Sequence, residues 1–161
     1  APSRAPAKPG EGPIVRVRGG AEDVLIRIAR CCSPLPGDKI LGFITRGRGI
    51  SVHRADCVHV HEMIPERRIE VQWDEGSRAS RPVTVEVVCV DRPGLLANLS
   101  RSITAEDANI TKAQVYTTND AKAVSTFDLA VKDAGHLKRI LNALERIQGV
   151  YSVHRVDARP W

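Results

Sequence analysis

The second half of the chain has a hydrophobic pattern that changes several times between the period of a strand and the period of a helix. Apolar residues alternate where the pattern is strand-like and recur every three or four residues where it is helical. The segments are strand 83–89, helix 95–103, strands 110–117 and 123–131, helix 137–147 and strand 151–156. Gly149 lies where a helix C-cap belongs. The order β-α-β-β-α-β predicts a ferredoxin-like fold.

The first half is less regular and predicts a smaller α/β domain. The expected elements are strands at 14–18, 40–45, 50–52 and 69–73, a glycine-bearing hairpin loop at 46–49 and a short helix at 54–63. His53 and Cys57 are expected near the start of that helix. Residues 24–29 are apolar enough for a strand or a buried helix, and their pattern does not separate the two. The whole chain is therefore predicted to be α+β.

Two segments have the composition of linkers. Residues 1–13 contain four prolines and two glycines and show no apolar periodicity, which predicts a flexible linker. A polar, non-periodic stretch predicts a second linker at 75–81. We therefore expect one small domain at 14–74 and the ferredoxin-like domain at 82–157.

Composition excludes several classes of protein. No apolar run approaches the roughly 18 residues of a membrane span, and the N-terminus lacks the apolar stretch of a signal peptide. We therefore expect no membrane partner and a cytoplasmic location. The first residue is Ala and not Met, so we expect a segment of a longer protein. In a reducing cytosol, a cysteine cluster more often binds metal or takes part in catalysis than forms disulfides.

Three of the four cysteines lie close to a histidine in the sequence. Cys31 and Cys32 are adjacent, and His53 and Cys57 follow at a spacing that can place two ligands together. Thiolate and imidazole are ligands that Zn²⁺ prefers, but adjacent cysteines in a strand would point to opposite faces. Zinc ligands, buried structural thiols and redox or nucleophilic thiols all remain open on the residues alone. Cys89 lies on an apolar strand stripe and is expected to be a core thiol.

The hairpin loop at 46–49 lies in a basic segment. Residues 39–54 contain Lys39, Arg46, Arg48 and Arg54 and no acidic residue. Glycines let a backbone approach a phosphate and arginines bind it in bidentate fashion, so the pattern favours binding to an RNA backbone. The candidate contacts are Arg46, Arg48, His53 and Arg54. A solvated hairpin tip with incidental arginines is the alternative.

Asp91 to Leu96 lie between a predicted strand and a predicted helix. The free N–H groups and the dipole of a helix N-terminus favour an anion such as a carboxylate. Asn109, at the start of the next strand, could accept a hydrogen bond from an ammonium group. The alternative, which the residues alone favour, is that Asp91 caps the helix, Pro93 occupies its first turn and Asn109 forms a turn.

Two motifs, Ala29–Asp38 and Gly42–Cys57, together resemble the zinc-finger or conserved-cysteine domain of the RelA/SpoT (Rel) family. Members of that family are long, ribosome-associated enzymes of the stringent response that make and degrade ppGpp and pppGpp. The resemblance implies that Cys31, Cys32, His53 and Cys57 hold a structural zinc ion. It also implies that this domain contacts ribosomal RNA when the enzyme senses deacylated tRNA.

The segment 82–157 resembles an ACT domain through Asp91–Leu96, Ala108–Ile110 and Gly149–Val150. ACT domains commonly bind amino acids at an interface between paired domains, so the resemblance implies a homodimer and a branched-chain ligand, valine or isoleucine. The implied binding residues are Asp91, Arg92, Gly94, Leu95, Leu96, Asn109 and Ile110. The site would act by shifting the populations of the catalytic states of the parent enzyme.

The combined resemblance implies the C-terminal regulatory region of a bifunctional (p)ppGpp synthetase/hydrolase, a GTP diphosphokinase. No hydrolase or synthetase site is evident in these residues, so the segment itself is expected not to be an enzyme. It would couple the ribosome, its tRNA and an amino acid to upstream catalytic domains. Two alternatives are a zinc- or thiol-dependent enzyme, with Cys31 or Cys32 as nucleophile and His53 as base, and a ligand-free ACT self-association module.

Overall fold

A computed structural model of the chain describes residues 15–19, 24–74 and 80–157. The predicted linker at 1–13 and residues 75–79 of the second predicted linker lie outside the described residues. The chain divides into two compact units, Ala1–Ala79 and Ser80–Trp161. Both contain strands together with helical segments, which confirms the predicted α+β class.

The first unit is built on a four-stranded sheet and a two-stranded ladder. Its strands are β1 (Val15–Val17), β2 (Ile26–Ile28), β3 (Ile40–Ile44), β4 (Ile50–Arg54), β5 (Arg68–Ile69) and β6 (Val71–Trp73). The sheet order is β2-β4-β3-β5, and only β2 and β4 run parallel. The ladder joins β1 to β6. Two 3₁₀ helices, Val58–Glu62 and Pro65–Arg67, follow β4.

Each face of this sheet buries a different set of side chains. On one face, Ile50 and Val52 pack with Val15 and Val17 into an apolar core that Trp73 helps to cover. Successive side chains of a strand point to opposite faces, so His53 lies on the other face. There the ring of Phe43 meets the ring of His53 edge-on, with centroids 6.3 Å apart.

Several predicted boundaries in this unit change. The helix expected at 54–63 is wrong in its first part, because His53 and Arg54 extend β4, where Arg54 lies opposite Ile40. Its helical part begins only at Val58. The ambiguous segment 24–29 contains a strand, since β2 pairs with β4. The strand expected at 69–73 divides at Glu70 into β5 and β6, which belong to different sheets.

The second unit has the predicted β-α-β-β-α-β order. Its elements are β7 (Arg81–Val90), α1 (Leu95–Ala105), β8 (Asn109–Thr117), β9 (Lys122–Val131), α2 (Ala134–Glu145) and β10 (Val150–Val156). The strands form one antiparallel sheet in the order β10-β7-β9-β8. Alternate residues of β7, including Cys89, are buried together with Leu99, Ile103, Ile140 and Leu144 of the helices. Cys89 is therefore a core thiol, as expected.

The helix ends differ from the expected caps. Gly94, with φ of +84°, is the N-cap of α1, and no side chain caps that helix, so Asp91 is not a capping residue. In α2 the Asp133 carboxylate accepts a hydrogen bond from the His136 N–H at 2.7 Å. Gly149 is not the C-cap of α2, which is Arg146; it adopts φ of +99° immediately before β10.

The buried His136 connects the two helices of the second unit. Its Nδ1 accepts a hydrogen bond from the Lys132 N–H at 3.0 Å, and its Nε2 contacts the Glu106 carbonyl oxygen at the end of α1. In the part of the chain that the structure describes, no helix is long and apolar enough to cross a membrane.

Candidate metal centre, basic hairpin and ligand loop

The four predicted metal ligands come together at one end of the first-unit sheet. Cys31 and Cys32 lie in a turn after β2, His53 lies in β4, and Cys57 precedes the first 3₁₀ helix. The turn is closed by a hydrogen bond from the Ser33 N–H to the Ala29 carbonyl at 3.2 Å, and Ser33 has a left-handed φ of +42°. Because the pair lies in a turn and not in a strand, both thiols reach the same point.

The separations among the four ligand atoms fit a tetrahedral metal ion. The Cys31 Sγ lies 3.9 Å from Cys32 Sγ, 3.7 Å from Cys57 Sγ and 3.4 Å from His53 Nδ1, and Cys32 Sγ lies 3.8 Å from the same nitrogen. A tetrahedron with metal–sulfur bonds of 2.3 Å has edges of about 3.8 Å. All four atoms lie within 4.8 Å of one another, so the cluster could hold a metal ion.

Burial sets the protonation of the cluster when no metal is bound. It raises the pKa of the Cys31 and Cys32 thiols, and a hydrogen bond to Cys57 raises the pKa of Cys31 further. Burial also lowers the pKa of His53, with a contribution from His59, so the imidazole is neutral and can act as a ligand. A nucleophilic cysteine needs a lowered pKa, which this burial opposes. The arrangement therefore favours metal binding over the nucleophile that the enzyme alternative requires.

Groups around the ligands support the cluster. The backbone N–H of Arg54 donates to Cys32 Sγ at 3.3 Å, a bond that stabilises the thiolate and orients it. Phe43 packs edge-on against the His53 ring. Neither contact was predicted from the sequence. The register of the β3–β4 hairpin explains the second contact: Leu41 lies opposite His53, and Phe43, two residues further along β3, lies on the same face.

The structure separates the four predicted RNA contacts into two exposed and two interior residues. Arg46 and Arg48 are exposed on the loop between β3 and β4, and neither makes an ion pair with a described residue. The Arg54 side chain is only 14% exposed and its Nε lies 3.4 Å from the Asp56 carboxylate. His53 is 6% exposed and faces the thiols. The accessible cations of this set are therefore Arg46 and Arg48.

In the second unit, the predicted ligand loop lies at the end of β7. Asp91, Arg92 and Gly94 are exposed, while Leu95 is buried and Leu96 is 46% exposed. The Asp91 N–H donates to the Ala121 carbonyl at 3.0 Å, and Arg92 donates to the Gln148 carbonyl at 3.0 Å. The loop is thus held by the β8–β9 turn and by the residues before β10, and it leaves the Asp91 carboxylate free to face solvent.

Asn109 and Ile110 lie at the opposite end of the same sheet. Asn109 pairs with Ala130, which pairs with Pro82 at the start of β7, whereas the loop follows Val90 at its other end. Eight residues of strand separate these two positions, a distance of about 26 Å. A single copy of the unit therefore does not bring Asn109 to the Asp91–Leu96 loop.

Comparison with family models identifies both units. Residues 15–74 match the RelA/SpoT RIS domain, and residues 77–155 match the ACT domain. The first match contains the whole cysteine–histidine cluster and the basic hairpin, and the second contains the β-α-β-β-α-β unit. The resemblance inferred from the motifs is confirmed.

Curated relatives agree with this assignment. A GTP pyrophosphokinase of Myxococcus xanthus is 46% identical over 138 residues, which are 86% of this chain and 18% of that protein. The bifunctional (p)ppGpp synthase/hydrolase RelA of Mycobacterium tuberculosis is 40% identical over 160 residues, or 98% of this chain and 22% of that protein. The chain thus spans about a fifth of the length of these relatives.

Among solved structures, the ACT domain from the GTP pyrophosphokinase of Chlorobium tepidum is similar to part of the chain. The matched region is 48% of this chain and 99% of the Chlorobium tepidum chain, with 22% sequence identity and a TM-score of 0.44. The assignment depends on the two family models and the curated relatives. The chain therefore belongs to the RelA/SpoT family and carries the RIS domain and the ACT domain of its C-terminal regulatory region.

Proposed function

We propose that this chain reports the state of the ribosome and of a branched-chain amino acid to the catalytic domains of a cytoplasmic (p)ppGpp synthetase/hydrolase. The observation that carries the proposal is the exposed pair Arg46 and Arg48 at the end of a hairpin whose second strand supplies a ligand to the cysteine–histidine cluster. Neither arginine forms an ion pair with a residue that the structure describes. The relatives named above support the catalytic assignment of the whole protein. The chain itself is assigned no catalytic step.

In this proposal the metal is a structural zinc ion, held by the three cysteine thiolates and the neutral His53. Bound zinc supplies a rigid tetrahedral cross-link and no reaction chemistry here. Its ligands come from the turn after β2, from β4 and from the segment after β4. The β3–β4 hairpin is therefore anchored at its base, which gives the two arginines a constant position for an RNA contact in the ribosome.

Replacing both hairpin arginines tests the ribosome contact. We expect R46A/R48A to weaken binding of the 161-residue chain to purified bacterial ribosomes by about tenfold or more at 0.15 M salt. The reason is that an arginine bound to a phosphate releases counterions from the RNA, and this release favours binding. Each contact that is lost therefore lowers both the affinity and its salt dependence. Cosedimentation over a series of salt concentrations measures both the affinity and its salt dependence.

The matched control is R16A/R18A, because it removes two exposed arginines of the same domain that pair with Asp74 and Glu70. Exposed ion pairs contribute little to stability, so the control is expected to fold and to bind as the unchanged chain does. Equal affinity and equal salt dependence of R46A/R48A and the control would remove the proposed ribosome contact.

The amino-acid site is proposed to form between two copies of the ACT domain. Strand β8 is an edge strand, and every residue of it except Ile110 is exposed, including Val115 and Tyr116. A two-fold axis that sets β8 antiparallel to its copy would bring the loop end of one domain beside the Asn109 end of the other. Such pairing joins the two halves of the site that one copy holds about 26 Å apart.

Isothermal titration with valine and isoleucine tests this composite site. We expect heat from at least one of the two and no heat from D91A or N109A, since each variant loses an acceptor for the ligand ammonium group. A mixture of D91A with N109A is expected to recover about a quarter of the sites, because only mixed dimers contain one intact loop facing one intact Asn109. A dimer that binds neither amino acid would instead support the ligand-free self-association module.

A further inference from the structure

Within the cysteine–histidine cluster, solvent reaches Cys31 more readily than the other two cysteines. Cys31 is partly exposed, whereas Cys32 and Cys57 are only 2% and 1% exposed. All three are reduced thiols in the structure. The susceptibility of a cysteine to a small oxidant follows its exposure and its thiolate character. A peroxide that enters from solvent therefore meets Cys31 first.

The geometry selects Cys57 as the partner of Cys31. The Cys31 Sγ lies 3.7 Å from the Cys57 Sγ, and a disulfide has an S–S length of about 2.0 Å, so the two sulfur atoms need to approach by about 1.7 Å. Cys31 lies in the turn after β2, and Cys57 lies between β4 and the first 3₁₀ helix. This movement therefore takes place outside the strands of the sheet.

Cys32 is a poorer partner, although its Sγ lies at a similar distance from the Cys31 Sγ, 3.9 Å. Consecutive Cα atoms are about 3.8 Å apart, which is below the range of about 4.4–6.8 Å found in most disulfides. A disulfide between adjacent cysteines is therefore strained. The Cys32 Sγ also accepts a hydrogen bond from the Arg54 N–H at 3.3 Å, which holds it towards β4.

We infer that Cys31 and Cys57 are a modification site, at which a peroxide forms a reversible disulfide in competition with the metal. A cysteine binds a metal ion as the thiolate, which is also the form that reacts with peroxide. The Cys31 sulfur attacks one peroxide oxygen and the O–O bond breaks, which gives a sulfenic acid and hydroxide. The Cys57 thiolate then attacks the Cys31 sulfur, and the S–O bond breaks to release a second hydroxide. The two sulfur atoms have lost two electrons, and these have reduced the peroxide.

The disulfide removes two of the four metal ligands. Cys32 and His53 remain, and two ligands do not complete the tetrahedral shell of a structural zinc ion. The metal is therefore released, and the β3–β4 hairpin loses its anchor at His53. A dithiol reductant supplies two electrons, is itself oxidised to a disulfide and regenerates both thiols. The site is thus a reversible switch.

Peptide mapping of the reduced, zinc-loaded 161-residue chain tests the inference, which rests on the proposed zinc site for the release of metal. Zinc is measured in the purified chain, and excess hydrogen peroxide is then added in the presence of a chromogenic zinc chelator, with a peroxide-free sample beside it. The remaining thiols are alkylated in denaturant. Trypsin then separates the peptides 31–39 and 55–67, which carry the cysteines of the cluster.

We expect one disulfide that joins these two peptides, located at Cys31 and Cys57 by fragmentation, and release of about one zinc ion for each disulfide. Dithiothreitol and added zinc should restore the thiols and the metal. C89A should behave in the same way, because Cys89 lies outside the cluster. The unchanged chain oxidised in urea should instead give mixed pairings that include Cys89, because only the fold selects Cys57.

Three results would overturn the inference: a disulfide at Cys32, an irreversible sulfinic acid at Cys31, or a chain that stays reduced in excess peroxide. Zinc that is retained after the disulfide has formed would overturn it as well. A reduced chain that binds no zinc would refute the proposed zinc site alone, because the disulfide map still shows whether Cys31 pairs with Cys57.

Discussion

Chelation of zinc from the purified, zinc-loaded chain is expected to unfold the RIS domain and leave the ACT domain folded. The apolar core of the RIS domain outside the cluster is small, with Val15, Val17, Ile50 and Val52 at its centre. Structural zinc supplies about 10–16 kcal/mol of binding free energy in zinc-finger peptides, more than most domains have as net stability. The free energy lost with the metal should therefore exceed the net stability of the domain, and the domain should unfold.

The measurement is a two-dimensional amide NMR spectrum recorded before and after treatment with EDTA, together with zinc analysis. We expect the resonances of residues 15–74 to lose their dispersion while those of the ACT domain remain. C57S should reproduce this loss without chelator. C89A is the matched control, since Cys89 is equally buried but lies in the ACT domain outside the cluster. Retained dispersion of the RIS resonances in zinc-free protein would contradict the structural role of the metal.

Alanine at Gly49 is expected to disrupt the RIS sheet, whereas alanine at Gly47 is expected to be tolerated. Both glycines belong to the same hairpin loop and have almost the same left-handed φ, +75° and +73°. A Cβ at Gly47 would have nothing within 4 Å, but a Cβ at Gly49 would lie 2.1 Å from the Leu25 carbonyl oxygen. Both alanine variants therefore carry the same backbone strain, and only the alanine at position 49 also collides with the Leu25 carbonyl oxygen.

The collision affects the contact between β2 and β4. The Leu25 carbonyl accepts a hydrogen bond from the Ile50 N–H at 2.8 Å, next to the Ile26–Ile50 pair. A Cβ at Gly49 must push this backbone away, so β2 would separate from the sheet at that point. We expect G47A to lower the free energy of unfolding by about 1–2 kcal/mol, the cost of a left-handed alanine, and G49A by at least about 3 kcal/mol more.

Urea unfolding of the two variants, followed through the RIS resonances, measures this difference. Both variants keep Arg46 and Arg48, so the comparison isolates the backbone from the charge of the hairpin. G47A should retain zinc and RNA binding, while G49A should weaken both. Equal stability of the two variants would mean that the β2–β4 contact at Leu25 does not form as described.

The ACT fold was predictable because each of its elements carries its own local pattern. Alternation in 83–89 and helical spacing in 95–103 depend on neighbouring residues only, and the structure has β7 and α1 at those places. Residues 24–29 carry no such period. Their strand conformation comes from pairing with β4, whose residue Ile50 lies opposite Ile26. The helix expected at 54–63 began too early for the same reason, since only the pairing of β3 with β4 extends the strand to Arg54.

Residue chemistry identified the cysteine–histidine cluster but not the exposure of the arginines. Arg48 and Arg54 are equivalent cations in the sequence, yet Arg54 is largely buried beside Asp56 and Arg48 is exposed. Asp91 and Asn109 were assigned to one site between paired domains, and the sheet register puts them at opposite ends of a single domain.

The amino-acid sequence by itself determined the order of elements in the ACT domain, the types of ligand available for a metal and the family to which the chain belongs. These properties depend on residue identity and short spacing. The tertiary structure decided which thiols meet, which arginines are exposed and that Asn109 cannot reach the Asp91 loop within one copy. Those outcomes depend on strand register and on the turn at Cys31–Cys32. Register is set by packing between segments far apart in the chain, which short-range patterns do not contain.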